Sequence, residues 1–225
     1  MKPMRQEKWN KYTKVHHPPA LIRSEGEDHR RNEITRALKT HLPEHWNRKG
    51  KVLALGCGDG FEIDILKSMG FENIVGITND ERELGPDIVM GDMHDMVVFG
   101  DREFDYIYSK EVLEHTQAPF LLLCELNRVL KPDGEYLHMI STSLEKQRDI
   151  YHFSCFPDWV WVDLFYKSNQ PVKRILEHQI QLGFEGRKTD EIDFDTPPGK
   201  YSYDLNGVIN GCQRVILNLS TAPLQ

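Results

Sequence analysis

Residues 51–60 read Lys-Val-Leu-Ala-Leu-Gly-Cys-Gly-Asp-Gly, KVLALGCGDG, and the fold follows from how this stretch is divided. Lys51–Leu55 is a short apolar run of strand length. Gly56–Gly60 is a glycine-rich bend, in which glycines allow tight turning and leave no Cβ in the way of a ligand. Phe61–Met69 then places Phe61, Ile65, Leu66 and Met69 on one helical face. Asp59 is positioned to cap that helix, with Glu62 three residues later completing a capping box. A strand, a glycine bend and a helix in succession open a βαβ unit. Ligands in open parallel sheets bind outside the carboxyl ends of the strands, where this bend would lie. The glycines alone are equally well explained by a tight strand-to-helix turn.

Outward from this point the pattern repeats. NIVGI (73–77), DIVM (87–90), FDYIY (104–108) and EYLHMI (135–140) read as further strands. Pro119 opens a helix whose apolar face is Leu122, Leu126, Val129 and Leu130, and Lys131–Gly134 (KPDG) reads as a turn. Strands that alternate with helices imply a parallel sheet with right-handed crossovers. The connection between the second and third strands is too short for a full helix. Beyond residue 141, Phe156–Lys167 and Pro171–Leu182 read as helical, and Phe184–Phe194 and Gln213–Leu219 as strands. Before the first strand, Ile34, Leu38 and His41 give a helix over about 30–40, ended by Pro43. Residues 1–28 read as an irregular arm or lid, with His16-His17-Pro18-Pro19 opposing regular structure. The remainder, 29–225, reads as one domain: a core at 51–140, additions at 141–182 that would build a pocket, and C-terminal strands at 183–220.

Composition narrows the class. No apolar run approaches the roughly 20 residues that span a bilayer, and the basic, polar N-terminus lacks a signal core. Cys57, Cys124, Cys155 and Cys212 form no CxxC pair and fit no zinc spacing, so they read as free thiols in a reducing, cytoplasmic setting. The formal charge is −7, unevenly spread. Residues 1–51 hold 13 Lys/Arg against 6 Asp/Glu, and the rest 15 against 29. An acidic body argues against a large nucleic-acid footprint. A dinucleotide fingerprint would require glycine where Phe61 stands, and no GxxxxGK[ST] loop occurs.

The later strand ends carry polar landmarks: Thr78-Asn79-Asp80 after the second, Gly91-Asp92-Met93 after the third, and Ser109 with Glu111-Val112-Leu113-Glu114-His115 after the fourth. KVLALGCGDG, VGITND, GDMHD, FDYIYSKEVLEH and ELNRVLKPDGEYL, in this order, resemble the class I S-adenosylmethionine-dependent methyltransferases, in particular the type 11 group. The resemblance implies a Rossmann-like, doubly wound α/β fold. Its sheet would be mostly parallel and seven-stranded, with helices on both faces and an antiparallel C-terminal strand. It implies S-adenosyl-L-methionine as cofactor. Gly56, Cys57 and Gly58 would line its methionine and ribose side, and Thr78 and Asn79 would sit at the ribose. Asp92 and Met93 would hold the adenine, and Ser109 would lie beside the methionine portion. Two departures stand out: the family's acidic residue two before the first glycine is Ala54 here, and the acid that ends its second strand is Thr78.

His152, just past the fifth strand, is the candidate general base; His115 and His138 read as structural. Glu111, Glu114 and His115 would share one helical face and with His152 could hold a divalent metal, an arrangement similar to that of a small-RNA 2′-O-methyltransferase family. E-V-L-E-H is common in the type 11 group without metal, and none is assigned. The aromatic run Tyr151–Tyr166 reads as core helix or as pocket wall. The expected function is methyl transfer to an oxygen or nitrogen of a small-molecule acceptor. A methyltransferase acting on RNA or protein, or a non-catalytic protein that keeps the fold, remain alternatives.

Overall fold

The computed structural model describes residues 25–141, 152–178, 181–189 and 213–216. The arm up to residue 24 and the fourth cysteine, Cys212, lie outside them. The elements in chain order are α1 (Glu25–His41), β1 (Lys51–Leu55), α2 (Phe61–Ser68), β2 (Asn73–Thr78), β3 (Ile88–Met90), β4 (Phe104–Lys110), α3 (Pro119–Val129), β5 (Leu130–Ser141), α4 (Asp158–Lys167), β6 (Val172–His178), β7 (Gln181–Arg187) and β8 (Gln213–Ile216). Single 3₁₀ turns follow β2 (Glu81–Glu83) and β4 (Leu113–His115). No helix among the described residues is long and apolar enough to cross a membrane.

β1 is the centre. It pairs in parallel with β2 on one side and β4 on the other, with Leu55 level with Ile77 and Ser109. β3 extends the sheet beyond β2 and β5 beyond β4, both parallel. β7 then runs antiparallel to β5 and β6. The spatial order is β3-β2-β1-β4-β5-β7-β6, the expected doubly wound, mostly parallel arrangement. β8, parallel to β6, adds an eighth strand at the outer edge.

Alternation along the strands explains the two layers of helices. Leu53, Leu55, Ile107 and Ile140 face a core shared with Leu122, Leu126 and Val129 of α3 and Trp161 and Phe165 of α4. Val52, Ala54, Tyr108, Leu137 and Met139 face the opposite core, shared with Ile34 and Leu38 of α1 and Ile63 and Leu66 of α2. A sheet buried on both faces needs apolar residues at every position of its central strands, which is why KVLAL carries no polar residue after Lys51.

Three expectations are corrected. Val172–His178 is strand β6, not a helix; Val172, Ile175 and Leu176 are buried there, and pairing with β7 satisfies the backbone. KPDG is an irregularity within β5 rather than a turn between elements. Asp133 there takes the left-handed conformation at φ 59°, and the register with β4 shifts at this point. Asp59 and Glu62 form no capping box. Gly60, at φ 84°, is the N-cap of α2, while Asp59 accepts from Phe61 N at 3.2 Å and pairs with Arg31 at 2.9 Å. The strand candidate over 184–194 is realised as Gln181–Arg187, with 190–194 outside the described residues.

β2 and the bend meet tightly at Gly76. A Cβ there would press on Cys57 Sγ and lie 2.8 Å from Ile63 Cδ1. Overpacking of a buried site costs about 1–3 kcal/mol. Gly76→Ala should therefore lower the unfolding free energy by about that amount in urea titration; an unchanged midpoint would show that the bend yields freely.

Candidate active site

Because β1, β2, β3 and β4 are parallel, their carboxyl ends open on one edge of the sheet. The glycine bend lies there. Gly56 and Gly58 hold φ of 64° and 52°, values that L side chains rarely adopt. A Cβ at Gly56 would meet Val112 Cγ2 at 2.6 Å, while at Gly58 it would face open space with only Glu83 Oε1 within 4 Å. Gly58 thus leaves open space that a side chain would enter. Cys57, between them, turns its side chain inward; burial, followed by the nearby charge of Glu83, pushes its thiol up to about 12. Only its backbone faces outward, and as a thiol it is inert.

The neighbouring tips are tied to one another. Gly91 N donates to Thr78 O at 2.9 Å, which sets the end of β3 against the end of β2. Thr78 is buried; its hydroxyl accepts from Asp80 N at 3.1 Å and donates to Glu83 Oε2 at 2.5 Å. Asn79 is half-buried beside it. Asp92 is exposed, and its Oδ1 accepts from His94 N at 2.9 Å and faces His94 Nδ1 at 3.0 Å. The His94 hydrogen bonds hold its carboxyl below the usual range, so it remains ionised near neutrality. Met93 is partly buried against the first core. Ser109 is wholly buried and shares a 2.7 Å hydrogen bond with His138 Nδ1, so its hydroxyl faces the interior and its backbone is what it can offer a ligand. Ala54 is wholly buried in β1, level with Gly76 and Tyr108.

Beyond β4, Glu111 adopts φ 52° and its N–H donates to Met139 O at 2.8 Å. The turn that follows carries Glu114 and His115. Glu114 organises this corner: its backbone carbonyl accepts from Phe153 N at 2.8 Å and Ser154 N at 3.0 Å, and its Oε1 accepts from Ser141 N at 2.7 Å. Ser154 Oγ adds a bond to Thr116 O at 2.7 Å. The segment after β5 is thereby fastened over the β4 tip, and the His115 and His152 rings lie edge-to-face with centroids 4.6 Å apart. Glu114, His115 and His152 offer ligand atoms that all lie within 4.8 Å of one another, a spacing that a divalent ion could bridge. Glu111 is not part of that group. Phe153 and Trp159 are exposed, while Trp161 and Phe165 are fully buried. The aromatic run thus serves mainly as core.

Sequence reasoning missed Glu83. The signal was present: Asp80 caps a short turn by accepting from Arg82 N, and a capped turn that close to a strand end returns its last residue toward that end.

This architecture defines a class: a doubly wound α/β domain whose candidate site lies at the tips of four parallel strands. Residues 53–138 match the family described as a methyltransferase domain. A sterol 24-C-methyltransferase of Schizosaccharomyces pombe is 27% identical over 201 residues, 73% of this chain and 48% of that protein. A 24-methylenesterol C-methyltransferase of Oryza sativa subsp. japonica is 27% identical over 245 residues, 96% of this chain and 64% of that protein. The chain thus spans about half to two thirds of these relatives' length. A methyltransferase in complex with the Haloferax volcanii Trm112 methyltransferase activator shares the fold at a TM-score of 0.62 and 16% identity, over 73% of this chain and 92% of that one. Residues 53–138 thus match the methyltransferase-domain family, on the Rossmann-like fold of the class I S-adenosylmethionine-dependent methyltransferases.

Burial pushes the Glu114 carboxyl up to about 8, and buried His138 down to about 3. Both are neutral at pH 7. For Glu114 the sign is that of an acid with a raised folded pKa. The native state holds more protons than the unfolded state between the ordinary carboxylate range and pH 8, so stability declines as pH rises through that window. Glu114→Gln should flatten this decline, which urea unfolding at pH 5 and pH 8 would measure; an equally steep decline in the variant would place its origin elsewhere.

Proposed function

We propose that this domain transfers a methyl group from S-adenosylmethionine to an oxygen or nitrogen of a small-molecule acceptor. The observation that carries the proposal is the meeting of the glycine bend, the Thr78–Asn79 tip, the Asp92–Met93 tip and the His152 corner on one edge of the sheet. The acidic body and the resemblance to proteins named as sterol methyltransferases support a small molecule over a nucleic acid.

The residues present fit the cofactor. The backbone of Gly56–Gly58 would accommodate its methionine and ribose side in the space that Gly58 leaves open. Asn79 would stand at the ribose with Thr78. Asp92 would accept from the adenine amino group, Met93 would pack on the ring face, and the Ser109 backbone would border the methionine portion. The bound cofactor supplies an electrophilic methyl group on a sulfonium. The chain's own part is chiefly alignment and exclusion of water. His152, partly buried and fixed by the Glu114 backbone, would take the proton that an oxygen or nitrogen acceptor must lose. Phe153, exposed beside it, gives the acceptor an apolar wall.

A second reading of the same corner is favoured by the 4.8 Å convergence of Glu114, His115 and His152. There a divalent cation would hold the acceptor oxygen in place of a base. Chelation distinguishes the two: turnover under His152 base catalysis is indifferent to a chelator, and turnover with a bridging cation is lost and restored by adding the metal.

Two variants test the principal reading. Asp92→Ala removes a charged acceptor worth about 1.5–3 kcal/mol, so calorimetry should show S-adenosylhomocysteine binding weakened roughly ten- to a hundredfold; unchanged affinity would move the adenine elsewhere. His152→Ala should reduce S-adenosylhomocysteine formation over a panel of hydroxylated and amine-bearing acceptors by about a hundredfold or more, with cofactor affinity intact. Wild-type turnover in that variant would exclude His152 as the base.

A further inference from the structure

The tip of β2 holds a hydroxyl where the resemblance leads one to expect a carboxylate, yet a carboxylate stands within reach of it. Resting on the cofactor-site reading above, we infer that Glu83, from the 3₁₀ turn after β2, is the acid that receives the ribose hydroxyls of the cofactor, and that Thr78 is its positioning residue.

A short relay orients Glu83. Asp80 N donates to Thr78 Oγ1 at 3.1 Å, and that hydroxyl spends its single proton on Glu83 Oε2 at 2.5 Å. With its acceptor side engaged by the backbone N–H, the threonine points its proton at the carboxylate and fixes its rotamer. The other oxygen, Oε1, lies 3.9 Å from the position of the Cβ that Gly58 lacks. It therefore overhangs the glycine bend, between the two features that flank a ribose. Among the described residues no hydrogen bond to Oε1 occurs, and each carboxylate oxygen has two acceptor sites. Oε1 is free for a ribose hydroxyl while Oε2 keeps its bond to Thr78. The charge of Glu83 also reaches the bend, where it helps to raise the Cys57 thiol.

The other acids nearby are committed elsewhere. Asp80 is buried, caps the turn and is gripped through both oxygens by Arg82. Asp59 pairs with Arg31 at 2.9 Å. Glu62 is buried on α2, and Asp92 is held by His94 at the next tip. Glu81, exposed in the same turn, carries the same charge without the relay and serves as the control.

Calorimetry with S-adenosylhomocysteine and its 2′-deoxy and 3′-deoxy counterparts tests this on wild type, Glu83→Gln and Glu81→Gln. Wild type should prefer the complete ribose by about tenfold or more. Glu83→Gln should bind S-adenosylhomocysteine about tenfold or more weakly and lose most of that preference; Glu81→Gln should match wild type. Glu83 is half-exposed, and an unfolding curve for each variant confirms that the fold is intact. Wild-type affinity in Glu83→Gln, or an equal loss for all three ligands, overturns the assignment of Glu83 alone. A wild type that binds none of the three overturns the cofactor site together with it.

Discussion

Parallel pairing of β1 with both β2 and β4 is the constraint from which the site follows. It sets Leu55 level with Ile77 and Ser109, so three chain segments far apart in sequence leave the sheet side by side. With β3 added in the same direction, four loops share one edge. The glycine bend can occupy that edge because Gly56, Gly58 and Gly60 all hold positive φ, and because Cys57 turns its side chain into the core beneath it. Reversing the β1–β2 pairing would carry the Asp92 tip, and reversing β1–β4 the Ser109 tip, to the end of the sheet opposite the bend.

Burial shapes the chemistry on this frame. The β4 corner is built around Glu114, fully buried and neutral at pH 7, whose backbone carbonyl fastens the His152 segment. Ser109 and His138 share a hydrogen bond within the core and burial keeps His138 neutral, so the floor beneath the β4 tip carries no charge. Charge is found instead on the rim, at Asp92 and Glu83, where solvent helps to support it until a ligand arrives. An uncharged floor with acids at the rim suits a ligand that presents donor groups along its length, as an adenosyl group does through its amino group and ribose hydroxyls.

The doubly wound core was legible in the sequence because its signals are local. Apolar runs of strand length end in glycine or polar residues, and helices show one apolar face. The parallel sheet followed from the alternation of strands and helices, and its doubly wound form from the family resemblance. What escaped depended on tertiary context. Pro171–Leu182 has an apolar spacing that suits a helix, but its segment is drawn into the sheet by pairing with β7. KPDG has turn chemistry, yet the sheet absorbs it as an irregularity at Asp133. The placements of Gly56, Cys57, Gly58, Thr78, Asn79, Asp92, Met93 and Ser109 at one edge were foreseeable from the strand ends. That Cys57 turns its side chain inward was not, since strand parity breaks at a bend, nor that Ser109 within β4 turns its hydroxyl to His138 in the core. Glu83 was overlooked because its position depends on the cap formed by Asp80, a signal that the sequence contains but that can be read only once the turn is known.

The most direct test of the shared edge is hydrogen–deuterium exchange of the whole protein with and without S-adenosylhomocysteine. Slowed exchange is expected together in 55–60, 78–83, 91–94 and 109–112, with no change in 43–50 at the opposite end of β1. Protection confined to the opposite end, or none at saturating ligand, would contradict the account.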